Sequence, residues 1–447
     1  MATLERTEAS MRGLHLAVVA LVSLACGATA AGPTPAGAPD APAQDGSAAP
    51  AGSGQPGSDA GAVIGGAGGG LDVPADGRPA PARCEQLAAP LPEPVVHATA
   101  YSRRVGHCGL AWTDAQGNVA LEVNQLQLDG HPRWDLLSSA GTPLGSADAW
   151  RGVLFPSIHG YIIEQGNSGG ANSSPDIQAV DPAGRLRGST EVDGPALVVP
   201  SQRGELLVLG PVMASPAPPL PAFPWAAWVL RDDATTLWGP RTLPMQSATV
   251  GGGIDASGRV LVLQDGTAAF GAGTTAAQWF DRDGSALTGP FLLLASAAGP
   301  SARFETAPLI GGGLAVRRVV LDDASGIESS EWLVIVAAGR TSPAPAPEWL
   351  RSRPNTTLSI IGGARYALLP LGGDVSPCAQ AVDIVSASGS SCVRVVLPID
   401  GGKCRTRDLH RGLDGTILQA LPADREPFVQ APDSFACTVR FWPAALR

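Results

Sequence analysis

The chain has 447 residues and a formal net charge of −10, with 16% charged residues. A negative balance of this size argues against nucleic acid as a partner. The 56 glycines and 41 prolines punctuate many short apolar runs, and this pattern favours an all-β chain with many turns. A chain of this length exceeds one ordinary compact core unless its fold is repetitive.

The first long apolar run predicts an export signal. It extends from Leu14 to Ala25 and follows Arg12. The run is too short to span a bilayer but matches the apolar region of a signal peptide. Residues 1–26 are therefore expected to direct export.

Two processing sites compete at the end of this run. Ser23-Leu24-Ala25-Cys26 resembles the lipobox of the bacterial lipoprotein family, and the resemblance implies a lipid anchor on Cys26 at the outer membrane or cell surface. The alternative is ordinary cleavage after Ala28-Thr29-Ala30, which would release a periplasmic or secreted protein.

The next segment predicts a flexible tether. Residues 27–83 consist almost entirely of Ala, Gly, Pro, Ser and Asp, a composition that cannot bury enough apolar surface to fold. A flexible chain of about 55 residues has a root-mean-square span of about 40 Å. The domain would begin at residue 84 and extend to residue 447.

The cysteines predict disulfides in an oxidising compartment. If Cys26 is lipidated or removed, an even set remains: Cys84, Cys108, Cys378, Cys392, Cys404 and Cys437. We expect Cys378 to pair with Cys392, because only a segment of small residues separates them. The other four allow three connectivities. No pair has C-x-x-C spacing, so we predict neither a metal site nor a cofactor.

One short pattern recurs through the domain at a period of about 50 residues, which indicates a repeat architecture. In each copy a glycine precedes an apolar run, and glycine suits the positive φ of a tight turn between two strands. The seven glycines are Gly117, Gly160, Gly204, Gly258, Gly313, Gly363 and Gly415.

Six copies are followed by a second predicted hairpin, so each unit offers four short strands. The second hairpins use turns near Gly141, Gly184, Asp232, Gly284, Gly339 and, after Val393–Leu397, Gly401-Gly402. Four strands per unit resemble the blades of a β-propeller.

The seventh unit ends in one unpaired strand, Cys437–Trp442, while Pro94–Tyr101 forms a strand before the first unit. We therefore predict an all-β, seven-bladed propeller in which the N-terminal strand completes the last blade. Such closure removes exposed sheet edges.

The tryptophans fall into two groups. Those at the repeated position are predicted to fill the core between blades: Trp134, Trp228, Trp279 and Trp332. Those outside the repeat are candidate ligand contacts: Trp150, Trp225 and Trp349.

Basic residues cluster between the sixth and seventh units. The cluster comprises Lys403, Arg405, Arg407, His410 and Arg411. We predict Lys403, Arg405 and Arg407 as candidate binding residues for an anionic partner, with a solvated loop as the alternative.

The sequence carries no catalytic motif that we recognise, neither G-x-S-x-G nor a Walker loop. We expect a lipid-anchored envelope module that binds a protein or glycan. The alternatives are an exported enzyme acting on polysaccharide in the propeller funnel and a structural envelope component.

Overall fold

A computed structural model describes residues 84–86, 91, 93–102, 105–125, 132–148, 153–165, 176–192, 196–211, 225–243, 249–296, 302–322, 327–370, 381–397, 409–421 and 434–446. The predicted signal peptide and tether lie outside these ranges, and their bounds stay predictions. Within the described ranges, neither helix has the length or apolar character needed to cross a bilayer.

The described strands form seven antiparallel blades of four strands each, which confirms the predicted fold class. Blades one to three contain β3 (Val105–Thr113), β4 (Val119–Gln125), β5 (Pro132–Leu137), β6 (Pro143–Asp148); β7 (Val153–Ser157), β8 (Gly160–Gln165), β9 (Asp176–Val180), β10 (Leu186–Glu191); and β11 (Leu197–Pro200), β12 (Leu206–Pro211), β13 (Trp225–Leu230), β14 (Thr236–Thr242).

Blades four to six follow the same order, and two one-turn helices are inserted among them. They contain β15 (Thr249–Ile254), β16 (Val260–Asp265), α1 (Thr267–Phe270), β17 (Thr275–Phe280), β18 (Phe291–Leu294); β19 (Ala302–Pro308), β20 (Leu314–Asp322), β21 (Ile327–Val336), β22 (Ala344–Pro345); and α2 (Glu348–Arg351), β23 (Thr356–Ile361), β24 (Arg365–Pro370), β25 (Ala381–Ser386), β26 (Cys392–Val396).

Blade seven joins the two ends of the domain. It contains β27 (Leu409–Arg411), β28 (Ile417–Leu421), β29 (Ser434–Trp442) and, as its outermost strand, β2 (Val95–Ser102). β2 pairs antiparallel with β29 from Val95 opposite Phe441 to Ser102 opposite Ser434. The prediction that an N-terminal strand completes the last blade is confirmed.

The first strand of each blade lies nearest the central axis. Contacts join β3 to β7, β11 to β15, β15 to β19, β19 to β23 and β27 to β3. We call the end of the ring where first strands finish and second strands begin the turn face. The opposite end, where second strands finish and third strands begin, is the loop face.

The repeated glycines occupy the first-to-second-strand turns, as predicted. All seven have positive φ, from +70° at Gly363 to +131° at Gly160. At Gly313 the backbone oxygen of Val336 would lie 2.4 Å from an added Cβ. Glycine is therefore required there by close packing as well as by the turn conformation.

One predicted turn is wrong. In the sixth blade the second hairpin joins β25 to β26 through Gly389, whose φ is +73°. Val393–Leu397 is thus the end of that hairpin rather than its beginning. Gly401 and Gly402 lie outside the described residues.

The apolar runs are continuous because they are packed on both faces, as predicted. Leu206 and Val208 of β12 belong to one buried cluster, whereas Leu207 and Leu209 belong to the next. Alternate residues of one strand therefore fill the two neighbouring gaps between blades.

The repeated tryptophans are core residues, as expected. Trp134 is 1% exposed, Trp228 9%, Trp279 0% and Trp332 4%. Each lies on the third strand of its blade, so the repetition reflects packing between blades.

The N-terminal end of the domain is fastened to blade six. A short strand, β1 (Glu85–Gln86), runs parallel to β26 along its outer edge, and a disulfide joins Cys84 to Cys392. The predicted pairing of Cys378 with Cys392 is therefore wrong. Sequence proximity misled here, because β1 brings a distant cysteine to the start of β26.

The pairing of the other predicted disulfide cysteines stays a prediction. Cys108 lies on β3 and Cys437 on β29, whereas Cys26, Cys378 and Cys404 lie outside the described residues.

Two neighbouring glycines allow packing to be separated from turn strain. Gly311 and Gly313 have φ values of +86° and +97°, but an added Cβ meets nothing within 4 Å at Gly311. We expect Gly311→Ala to lower the free energy of unfolding by about 1 kcal/mol and Gly313→Ala by about 3 kcal/mol or more. Urea denaturation of both variants measures this difference, and equal losses would contradict the close contact at Gly313.

The disulfide is expected to stabilise the ring because it closes a long loop. Replacing both Cys84 and Cys392 by serine should lower the free energy of unfolding by about 2 to 5 kcal/mol. Ser391→Ala, at the exposed neighbour of Cys392, is the matched control and should change little. Denaturant titration compares the three proteins, and a double variant as stable as the control would refute the bridge.

Candidate functional site

A cavity lies on the axis at the turn face, where first strands from several blades end. Its volume is about 210 Å³. Five of the seven blades contribute to its lining, which consists of Gln202, Arg203, Ile254, Asp255, Ala256, Pro308, Ile360 and Arg411. We call it the axial cavity.

The backbone N–H and C=O of Ile360 connect three blades at this cavity. Its N–H donates a hydrogen bond of 3.1 Å to Oε1 of Gln202, which belongs to blade three on the far side of the ring. Its carbonyl oxygen accepts a bond of 3.0 Å from Nη2 of Arg411 in blade seven. Gln202 and Arg411 are thereby held in fixed positions at the axis.

Arg411 supplies a partly desolvated positive charge. Burial lowers the pKa of Arg411 to about 10, although the nearby carboxylate of Asp414 opposes this shift. The guanidinium therefore remains charged at neutral pH. Among the described residues, the bond to Ile360 is the only hydrogen bond that the side chain of Arg411 makes, and Nε is buried without a partner.

Asp255 is the carboxylate of the cavity lining, and the folded backbone occupies both its oxygens. Oδ1 accepts hydrogen bonds from the backbone N–H groups of Ser257 and Arg259. Oδ2 accepts a bond of 3.0 Å from the N–H of Gly313 in the next blade. Asp255 therefore stabilises its own turn and links blade four to blade five.

His410 precedes Arg411 on β27 and packs against the first blade. Its ring centroid lies 5.0 Å from that of Trp112. Burial lowers the pKa of His410 to about 4, so the imidazole is neutral at pH 7. Part of the predicted basic cluster is thus not a solvated loop: His410 and Arg411 are built into the end of blade seven.

Two of the tryptophans predicted to contact a ligand, Trp225 and Trp349, lie in different environments. Trp225 is the first residue of β13, at the loop face, and is partly buried. Trp349 is only 7% exposed and stacks on Tyr366 with a centroid distance of 5.4 Å. The prediction that Trp349 contacts a ligand is therefore corrected: it is a core residue between blades five and six.

The remaining predicted binding residues lie outside the described ranges: Trp150, Lys403, Arg405 and Arg407. In the sequence, Trp150 falls between β6 and β7, and the three basic residues fall between β26 and β27. β6 and β26 end at the loop face, and β7 and β27 begin there.

One group in the described part of the chain has atoms close enough to share a metal ion, namely Cys84, Asp383 and Cys392. The two sulfurs are bonded to each other, whereas metal ligation by cysteine uses thiolates. Asp383 instead pairs with Arg353 at 3.0 Å and with Arg394 at 2.7 Å. The group is therefore a structural fastening.

Sequence reasoning missed most of the axial cavity. Gln202, Asp255 and Ile360 were visible only as residues in or near predicted turns, and no short motif joins them. The one signal was Arg411, as a member of the basic cluster.

No protein-family model matches the chain, and no curated protein matches it. Solved structures resemble it at low identity. The polysaccharide lyase Uly1 is 10% identical, with a TM-score of 0.43, over 74% of this chain and 90% of that one.

A PL25 ulvan lyase bound to a sugar fragment is 10% identical, with a TM-score of 0.39, over 75% of this chain and 94% of that one. The β-propeller domain of the trilobed protease from Pyrococcus furiosus is 9% identical, with a TM-score of 0.35, over 64% and 94%. These likenesses concern the fold, and we draw no function from them.

Two partly buried groups, Glu164 and His410, should give the protein opposing pH dependences. His410 has a folded pKa of about 4 against a usual 6.5, so it contributes a loss of stability as pH falls from about 6.5 to 4. Burial raises the pKa of Glu164 to about 7 from 4.5, so it contributes a loss as pH rises from about 4.5 to 7. Each effect reaches about 3 kcal/mol at most.

Because the two pH dependences oppose each other, removing one group should reveal the pH dependence of stability that comes from the other. Relative to the original protein, Glu164→Gln should gain stability at pH 7.5 and lose that gain on acidification to pH 4.5. His410→Gln should gain stability as pH falls over the same range. Urea denaturation at a series of pH values tests this, and parallel pH profiles for all three proteins would contradict it.

Proposed function

We propose that this chain is a binding module of the cell envelope that presents the loop face of its propeller to a protein or glycan. The observation that carries the proposal is the difference between the two faces. The first-to-second-strand connections at the turn face are all short: the shortest is 158–159, and none is longer than 255–259. The second-to-third-strand connections at the loop face vary more in length: the shortest is 323–326 and the longest is 212–224. Variable connections on a rigid scaffold are typical of recognition surfaces.

The position of the predicted contact residues supports this proposal. Trp225 borders the Pro-rich connection 212–224 at the loop face. Lys403, Arg405 and Arg407 belong to the connection between β26 and β27, whose described ends lie at the same face. An aromatic side chain and a basic segment at one face suit an anionic macromolecule.

The way the chain enters the domain also supports presentation. Cys84 is bonded to Cys392 at the turn-face end of β26, and β1 runs from there along the outer edge of blade six. A tether formed by residues 27–83 would therefore attach beside the turn face. With Cys26 anchored in a membrane, the attachment point would leave the loop face unobstructed.

An exported enzyme acting on polysaccharide is the alternative, with its site in the funnel. The observation in its favour is the meeting of Arg411 and Asp255 at the axis. Asp255 is engaged in backbone hydrogen bonds through both oxygens, so it is poorly placed to act as a general base. We therefore place binding first.

A pair of charge-matched variants tests the proposal. Changing Lys403, Arg405 and Arg407 to serine removes three charges from a loop-face connection. Changing Arg231, Arg259 and Arg365 to serine removes three from the turn-face side, where these residues follow strand ends or turns. Against a panel of immobilised acidic polysaccharides and purified envelope proteins, only the loop-face variant should weaken binding, by about tenfold or more.

Two results would contradict the proposal. Equal losses in both variants would show a general charge effect rather than recognition at the loop face. Shortening of a polysaccharide by the original protein, measured as new reducing ends, would favour the enzyme instead.

A further inference from the structure

We propose that the axial cavity binds a small carboxylate with an apolar body, and that Arg411 pairs with the carboxylate. This site is separate from the loop face and does not depend on the function proposed for that face. The residues that build it belong to described parts of five blades, so the ring itself preorganises the site.

The first argument is the unused hydrogen-bonding capacity of Arg411. Nη2 donates to the carbonyl oxygen of Ile360, which fixes the orientation of the guanidinium plane. Nη1 has no protein partner among the described residues. Nε has none either, but it is buried and is not accessible to a ligand. A fixed guanidinium with a free Nη1 donor matches a carboxylate in charge and can donate to it.

The second argument is a neighbouring neutral donor. Gln202 uses Oε1 to accept the N–H of Ile360, which orients its side-chain amide across the axis. In the described part of the chain its NH₂ group has no acceptor. It can therefore donate to a ligand oxygen beside Arg411.

The nearby acid does not occupy this position. Asp255 directs Oδ1 to its own turn and Oδ2 to the N–H of Gly313. The second cavity arginine, Arg203, is paired with Glu205 at 3.1 Å. Arg411 is thus the lining arginine whose guanidinium makes no ion pair with a described residue.

The third argument concerns size and the remaining wall. Ile254, Pro308 and Ile360 give the cavity an apolar side. The volume of about 210 Å³ lies below the range of about 300–1,000 Å³ for pockets that hold drug-sized molecules. We therefore expect a branched short-chain acid to suit the site.

Isovalerate is a suitable probe, and isovaleramide is its neutral analogue of the same shape. Titration calorimetry on the intact protein should show isovalerate binding at least tenfold more tightly than isovaleramide. Arg411→Gln should abolish this preference. Arg259→Gln, at a partly exposed arginine of the adjoining turn that pairs with Asp281 at 3.6 Å, is the matched control and should retain it.

A second variant keeps the test decisive if Arg411→Gln does not fold. Ala256 lines the cavity from an exposed turn position, so Ala256→Phe should fill the site without disturbing the core. Ala140→Phe, in an exposed turn of blade one, is its control. Loss of isovalerate binding in Ala256→Phe alone supports the proposal. Equal binding of acid and amide, or unchanged binding in Ala256→Phe, would overturn it.

Discussion

The ring depends on one pairing, that of β2 with β29. These strands come from opposite ends of the domain, and their ladder runs from Val95 to Ser102. Without it, blade seven would lack its outer strand and leave the edge of β29 unpaired, an invitation to aggregation. The disulfide from Cys84 to Cys392 holds the segment just before β2 in place. Closure of the ring in turn brings the ends of the first strands together, and the axial cavity exists only because they meet.

A second set of interactions fixes the blades at the turn face. Thr113 donates to Asp414 across the seam at 3.1 Å, and Tyr161 donates to the carbonyl oxygen of Asn118 at 2.7 Å. The N–H of Ile310 donates to the hydroxyl of Tyr366 at 2.8 Å. These bonds join blades seven and one, one and two, and five and six, and we call this set of hydrogen bonds at the turn face the rim. The second-to-third-strand connections at the loop face differ more in length than the first-to-second-strand connections beside the rim.

The sequence predicted the repeated blades but not the contacts that form between distant parts of the chain when the blades assemble. Positive φ at a tight turn demands glycine, so Gly117 and Gly258 revealed the period and the blade number. The sixth blade misled because Gly401-Gly402 has the composition of a turn, whereas the actual turn uses Gly389 within a serine-rich stretch. The partner of Cys392 depended on a two-residue parallel strand, which no pattern marks. Gln202 and Ile360 meet across the axis, and such a contact has no local signature.

The hydrogen bond between Ile360 and Gln202 also connects blades that are not neighbours. The other hydrogen bonds of the rim join adjacent blades and act along the circumference, but the bond from Ile360 to Gln202 joins blades three and six and acts along a diameter. Because the carbonyl oxygen of Ile360 also accepts a hydrogen bond from Arg411 of blade seven, the backbone of Ile360 connects three blades. Widening of the ring would lengthen the bond to Gln202, so this side-chain amide resists the separation of two blades that are not neighbours.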